Sequence, residues 1–411
     1  MADLDGTTSS DLAALTARAR QADAADPLAA VRDRFTLPDG LVYLDGNSLG
    51  ALPTAVRPRI DALLDQEWGR GLISSWWDAD WWRAPQRVGD LIAPLLGAAE
   101  GQVVVGDSTS VNVFRAVVSA WRLANADDPG RTEIVVDDTT FPTDGYLAAS
   151  AARLLGASIR RRLLTESDAF DAHTAVVLAN HVDYRTGRLW DLPEITARAH
   201  HAGARVVWDL SHSAGAMPID LDRHGVDLAV GCGYKFLNGG PGAPAYLYVR
   251  SELQDRLEQP LPGWSSHAEP FAMEAEYRPA SGIVRARGGT PEILSLLALE
   301  AALTVWEGVE ITQVRAKSLA LTDFFLDCVD ALVEPGRFGC LTPRDDDRGS
   351  QVSLTASDAA ELVPLLARHQ VVGDHRPPDV LRFGFAPLYV GFAEVLRAAQ
   401  VLAEVSRRPH H

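Results

Sequence analysis

An α/β fold is expected for this chain of 411 residues: a mainly parallel sheet between helices, followed by a smaller α+β unit. Three observations lead there. Short apolar runs alternate with helical stretches of about 10–15 residues between positions 103 and 230, the pattern of a parallel sheet covered on both faces. Polar residues follow several of those runs, at the carboxyl ends of strands where such sheets bind ligands. Beyond about residue 300 the apolar period is helical, with short strands near 350–354 and 381–385. The chain is longer than one ordinary core. The expected division is an N-terminal arm and helices over 1–50, a large unit over 51–300 and a small unit over 301–411.

In order, the first element is a helix over Ser10–Ala22, in an Ala- and Asp-rich stretch. Tyr43-Leu-Asp-Gly-Asn-Ser-Leu-Gly50 is a glycine-punctuated loop. Residues 54–98 read as largely helical, interrupted by Trp76-Trp-Asp-Ala-Asp-Trp-Trp82, which holds four of the ten tryptophans. The polar spacers Asp78 and Asp80, with Arg83, mark part of that cluster as cleft lining rather than core. Val103–Val105 is a strand; Gly106-Asp-Ser-Thr-Ser-Val-Asn112 and a helix to about Leu123 follow. Strands at Glu133–Val136 and Ala175–Leu178 flank a helix near 144–155. Asp191-Leu-Pro-Glu194 opens another helix, with an Asp cap and a Glu three positions on. It ends near Gly203, ahead of strands at Arg205–Trp208 and Asp227–Val230.

Composition narrows the function classes. A net charge of −17 argues against nucleic acid or an anionic membrane as partner. The three cysteines, Cys232, Cys328 and Cys340, have no metal-ligand or disulfide spacing, which points to a reducing compartment. His200 and His201 are adjacent, so on a helix they point about 100° apart and cannot both face one metal; no metal is expected. The N-terminus carries Asp3, Asp5 and Asp11 and reads as neither a signal nor a transit peptide. No apolar stretch reaches membrane-spanning length, and the expected location is the cytoplasm. His410-His411 is given no function.

Of the 38 Lys and Arg residues only Lys235 and Lys317 are lysine, which leaves 36 arginines. Arginine replaces lysine as a charge but not as a nucleophile, because its guanidinium stays protonated while a desolvated amine can lose its proton. Lys235 lies in Gly231-Cys-Gly-Tyr-Lys-Phe-Leu-Asn-Gly-Gly-Pro-Gly242; Lys317 has no comparable neighbours and reads as an ordinary cation. Four polar groups fall at strand ends: Asp107-Ser-Thr-Ser110 before a helix, where N–H groups suit a phosphate; Phe141-Pro-Thr-Asp144; Asn180 with Tyr184-Arg-Thr-Gly187; and Asp209-Leu-Ser-His212. An acidic residue at a strand end, then a lysine 26 positions on beyond the next strand, is what a pyridoxal phosphate site requires. The carboxylate pairs with the pyridine nitrogen, and the lysine holds the cofactor aldehyde. Singly, Asp209 could be a helix cap, His212 a core histidine and the Ser-rich turn an N-cap. No Gly-x-x-x-x-Gly-Lys loop, third dinucleotide glycine or Gly-x-Ser-x-Gly elbow accompanies them.

The set Asn47-Ser-Leu-Gly50, Phe141-Pro-Thr-Asp144, Trp208-Asp-Leu-Ser-His212, Tyr234-Lys-Phe-Leu-Asn238, Gly263-Trp264 and Ala386-Pro-Leu-Tyr389 resembles the kynureninases, from about residue 30 to residue 400. These are fold-type I, pyridoxal phosphate-dependent hydrolases of the class V aminotransferase superfamily, and act in tryptophan catabolism. The resemblance implies Lys235 as the Schiff-base lysine, Asp209 as the pyridine-nitrogen partner and His212 beside it. It implies Thr109, Ser110 and Tyr234 as phosphate ligands, Phe141 stacked on the ring, Asp144 nearby and Asn180 at the ring edge. Trp264 and Thr290 would reach the site from the partner subunit of a homodimer. Arg382 would clamp the substrate's α-carboxylate, a role suited to its planar fork, and Asn47 and Trp76 would contact substrate. Thr290 stands where animal enzymes that prefer 3-hydroxykynurenine carry Asn, and the segment around Trp76 is similar to the bacterial, kynurenine-preferring type.

The activity implied is hydrolysis of the Cβ–Cγ bond of L-kynurenine to anthranilate and L-alanine, with 3-hydroxykynurenine as a further substrate. Lys235 would take the Cα proton and Tyr234 would relay a later one. A rival on the same scaffold is a cysteine desulfurase or lyase, which needs a reactive cysteine on a flexible loop; Arg337-Phe-Gly-Cys340 offers one. A pyridoxal phosphate-binding regulator without turnover would carry a basic DNA-binding module, and none is present.

Overall fold

The computed structural model describes residues 9–407, so His410-His411 lies outside the described residues. The five expected strands of the large sheet form as Val103–Val105, Glu133–Asp137, Thr174–Asn180, Arg205–Asp209 and Leu228–Cys232. Two more complete a seven-stranded sheet. Ala245–Val249 inserts between Leu228–Cys232 and Val103–Val105 and runs antiparallel to both. Ser158–Arg162 forms the opposite edge, parallel to Glu133–Asp137. The other neighbouring pairs are parallel. The mainly parallel sheet stands, with one reversed strand in it.

Side chains alternate across a strand, and here both faces are covered. Val177 and Ala179 enter one core while Val176 and Leu178 enter the other. That is why the central strands read as unbroken apolar runs. The helices Thr109–Asp127 and Pro142–Leu155 cover one face, and Leu192–His201 covers the other. Asp191 caps the last of these, accepting from the Glu194 N–H at 2.9 Å. Between 54 and 98 the chain forms Val56–Ala62, a wider helical turn over Leu63–Gly71, the short helix Ser75–Asp78 within the tryptophan segment, and Ala84–Ile92.

The C-terminal part holds a four-stranded antiparallel sheet in the order Gly339–Cys340, Gln351–Thr355, Val380–Gly384, Asp374–Arg376. The helices Ile311–Leu332 and Phe392–Ser406 pack on each other beside it. The first helix, Ser9–Ala24, lies along Phe392–Ser406. The strand Val42–Tyr43 pairs in parallel with Val371–Val372. Asp23 accepts from the N–H groups of Phe392 and Ala393 at 2.7 and 3.0 Å, capping that helix. Arg32 pairs with Glu394 at 2.7 Å. Lys317, read from sequence as an ordinary cation, is buried and reaches Asp26 at 2.6 Å. No helix among the described residues is long and apolar enough to cross a membrane.

Candidate active site

At the carboxyl end of the large sheet the strand ends converge on one cleft with ≈ 600 Å³ of atom-free space. Its lining includes Thr109, Ser110, Phe141, Asp144, Asn180, Asp209, His212, Tyr234 and Lys235. Nine positions singled out in the sequence, spread over five loops, therefore share one hollow. Thr143, Val182, Tyr184 and Ser211 complete the wall. Tyr184 and Ser211 lay within the strand-end motifs already noted; Val182 carries no chemical signal that a sequence could show.

Parallel pairing sets the key positions. Asn180 and Asp209 end neighbouring strands and are register partners. The Asn180 Nδ2 group donates to Asp209 Oδ2 at 3.1 Å and to Asp144 Oδ2 at 2.9 Å. Its Oδ1 accepts from the N–H of Phe141 at 2.9 Å and from the Thr140 hydroxyl. The other Asp209 oxygen accepts from the Ser211 N–H at 2.8 Å. Burial, and then the charge of Asp209, push the Asp144 carboxyl well above its ordinary value. Asp144 is thus the member of the pair suited to carry a proton.

Lys235 follows the strand Leu228–Cys232, on a turn that the N-terminal loop presses against. Gly50 donates to the Tyr234 carbonyl at 2.8 Å, and a Cβ at Gly50 would meet the Lys235 carbonyl at 2.3 Å. Only glycine allows that approach. Lys235 keeps access to the cleft but is otherwise enclosed by protein. Burial lowers its amine below the usual value, opposed in part by Asp209. Burial raises the Tyr234 phenol, with Cys232 and Asp209 adding to the effect. Thr109 opens the helix Thr109–Asp127, and its Oγ1 is buried without a hydrogen-bond partner. An orphaned hydroxyl at a helix N-terminus, inside a cleft that also holds a depressed lysine, fits a phosphate-bearing aldehyde.

The remaining sequence candidates lie elsewhere. Arg382 is buried behind the cleft and held by Asp374, with Nε–Oδ1 at 3.0 Å and Nη2–Oδ2 at 2.6 Å. It also donates to Ser48 Oγ and to the Tyr184 carbonyl, both at 2.8 Å. Asn47 is buried and donates to Gln351 Oε1 at 3.2 Å. Asp374 and Gln351 were not read from sequence, because no local pattern ties them to their distant partners. The tryptophan segment does not line this cleft. Trp76 packs edge-on against Trp81 at 5.8 Å, and Trp81 borders a separate apolar groove with Leu63, Trp68 and Ile293. Trp264 lies in an exposed aromatic cluster with Trp82 and Phe271. Thr290 is exposed at a small hollow beside Asp107 and Arg287. Cys340, the rival's candidate, is held in a strand pair with Leu354, with Sγ 3.4 Å from the Thr342 carbonyl; burial raises its thiol. It sits exposed in a strand pair rather than on a free loop, and its thiol is shifted away from the thiolate that sulfur transfer needs.

Fold and site together define a fold-type I enzyme that uses pyridoxal phosphate. A solved structure of the cystine C–S lyase C-DES, a mutant with glycine covalently linked to its PLP cofactor, shares the fold at 20% identity, with a TM-score of 0.77 over 91% of this chain and 99% of that one. The profile described as the kynureninase C-terminal domain matches residues 314–402. A kynureninase of Deinococcus radiodurans is 49% identical over 93% of this chain and 94% of its own length. One from Pseudomonas fluorescens is 44% identical over 94% of both. The chain belongs to the kynureninase family.

Proposed function

We propose that this enzyme hydrolyses L-kynurenine to anthranilate and L-alanine, with the residues of the Lys235 cleft in the roles that follow. The observation that carries this reading is the enclosed Lys235 amine, lowered by burial, in one cleft with Asp209 and the orphaned Thr109 hydroxyl. Thr109, Ser110 and the first N–H groups of their helix would hold the cofactor phosphate, with Tyr234 beside them. Phe141 would lie against the ring, and Asp209, held by Asn180, would pair with the pyridine nitrogen, with Asp144 on the same amide. Pyridoxal phosphate, when bound, supplies a protonated ring that can hold the electron pair released at the substrate Cα.

Arg382 presents a guanidinium to the substrate α-carboxylate, oriented in advance by Asp374. Lys235, once free, accepts the Cα proton, a task that needs an amine lowered towards neutrality. Water adds to the carbonyl carbon next to the aryl ring, and the Cβ–Cγ bond breaks to release the carboxylate of anthranilate. Cβ then takes a proton. The Tyr234 phenol, kept protonated by burial, is placed to relay it. Lys235 then returns a proton to Cα, and L-alanine leaves with the substrate's own nitrogen as its amine.

Trp264 and Thr290 lie outside the cleft of their own chain, which supports a homodimer in which they complete the partner's site. In that arrangement Trp264 and the aromatic surface around Trp76 bound the aryl slot. Of ring-unsubstituted and 3-hydroxylated kynurenine, Thr290 and the aromatic segment around Trp76 favour the former as substrate. The same reading divides the chain into an arm (1–50), a large cofactor-binding unit (51–300) and a small unit (301–411), supported by the separate seven- and four-stranded sheets. A cytoplasmic location belongs to the same reading, supported by the sparse, unpaired cysteines. Assay of cofactor-loaded protein tests the activity. Anthranilate and L-alanine should form in equal amounts from L-kynurenine, with a higher kcat/KM than on 3-hydroxykynurenine. Sulfide release from L-cysteine with no anthranilate from kynurenine would overturn the reading.

A further inference from the structure

Four groups behind the cleft form a continuous polar chain whose hydrogen-bond directions are all determined. It starts at Arg382, which can only donate. Its Nη1 meets the Tyr184 carbonyl at 2.8 Å, and that oxygen can only accept. The Gln351 amide also meets the Tyr184 carbonyl, at 3.2 Å, so the amide nitrogen must be the atom pointing there. The amide oxygen then points the other way, where the Asn47 amide donates to it at 3.2 Å and His212 Nδ1 lies 3.1 Å away. An amide oxygen only accepts, so His212 Nδ1 must carry a hydrogen. Gln351 is 1% exposed, so no solvent competes for these bonds.

We propose that Gln351 is a positioning residue that locks His212 as the neutral Nδ1–H tautomer, leaving the Nε2 lone pair as a fixed acceptor on the wall of the cofactor cleft. The consequence for the cofactor rests on the reading of that cleft given above; the tautomer itself does not. His212 lines the cleft while its Nδ1 edge is turned to Gln351, so the Nε2 edge is the one left for a ligand. Burial holds the imidazole well below its usual value, and the cations Lys235, Arg382 and Arg376 reinforce that. A neutral acceptor at this place can take a hydrogen bond from a donor on the bound cofactor or substrate, and adds no charge beside Lys235.

The chain also runs between two strands with separate tasks. Gln351 and Gly384 are register partners, as are Ser353 and Arg382. Arg382, assigned to the substrate carboxylate, and His212, at the cofactor, are therefore joined through one carbonyl and one amide. A shift of the small sheet on substrate capture would be felt at the His212 ring.

Long-range ¹H–¹⁵N correlation on ¹⁵N-histidine-labelled protein, with and without pyridoxal phosphate, tests this. The His212 signals are assigned by their loss in His212→Asn. The wild type should show the Nδ1–H pattern without titration between pH 5.5 and 9. Gln351→Glu keeps the shape but places a carboxylate against Nδ1, and should make His212 titrate within that range. Gln351→Leu should release the tautomer and lower kcat about tenfold with KM little changed, as for loss of a bond that orients a ligating histidine. An Nε2–H pattern or an imidazolium in the wild type overturns the proposal, as does a tautomer unmoved in Gln351→Leu. Should the leucine variant fail to fold, the wild-type and glutamate spectra still decide. An Nδ1–H pattern in a protein that releases no anthranilate would instead contradict the functional reading and leave the tautomer standing.

Discussion

Two lysines, in two regions, show how surroundings decide what an amine can do. Lys317 lies under the N-terminal arm, buried, with Asp26 2.6 Å from its Nζ. Lys235 lies in the cleft, and among the described residues it forms no salt bridge; the Tyr234 ring centroid is 5.9 Å away. Enclosure lowers both amines. At Lys317 the adjacent carboxylate opposes the shift and gives the ammonium a partner. At Lys235 the opposing carboxylate, Asp209, is engaged by Asn180 and Ser211 instead. The first arrangement is a structural ion pair; the second leaves an amine that can give up its proton. Arginine does not suit position 235, because a guanidinium cannot act as the nucleophile there.

The contrast makes opposite forecasts for the same substitution. Lys317→Met should be the larger effect. It strands the Asp26 carboxylate in a buried site and should cost about 3–5 kcal/mol, read by denaturant unfolding of the apoprotein. Adding Asp26→Leu to it should recover much of the loss. An unchanged midpoint in the single variant would break the comparison.

Arg382 sharpens it, because it is paired with Asp374 and yet assigned to substrate. Burial raises Asp374, but the bonds and charge of Arg382 outweigh this and hold it below its ordinary value. Arg382→Lys loses the planar fork and should lower kcat/KM about 10²-fold, mainly through KM. A loss confined to kcat would argue against carboxylate binding.

Lys235→Met is the smallest of the three and has the opposite sign. Removing an unpaired amine from an enclosed site should stabilise the apoprotein by about 1–2 kcal/mol at neutral pH. The sign with pH follows from linkage. Between the lowered folded pKa of Lys235 and its ordinary value of 10.5 the unfolded chain binds more protons, so wild-type stability rises with pH in that window. The gain from Lys235→Met should therefore shrink as pH climbs towards 10.5. A gain that grows with pH would contradict the assigned shift.

Most of the large sheet was legible, because its strands are buried on both faces and read as apolar runs. Ser158–Arg162 was not, since an edge strand with one open side admits Arg160, Arg161 and Arg162. Ala245–Val249 was hidden by the Gly-Gly-Pro-Gly turn and by its reversed direction. At the site, residues at strand ends could be grouped because parallel topology brings strand ends together. Asp374 and Gln351 could not: they come from the second sheet, and Gln351 stands 139 positions from His212. Lys317 was read as an ordinary cation because its partner, Asp26, lies in the N-terminal arm, with no local signal joining them.

The central claim is that Lys235 is kept for chemistry that a charge alone cannot perform. Lys235→Arg tests it most directly, since it preserves charge and approximate bulk. The variant, incubated with pyridoxal phosphate and L-kynurenine, is followed by anthranilate fluorescence and by visible absorption. The account expects no turnover above the blank and a visible spectrum unlike that of the wild type. Steady release of anthranilate over many turnovers would contradict it.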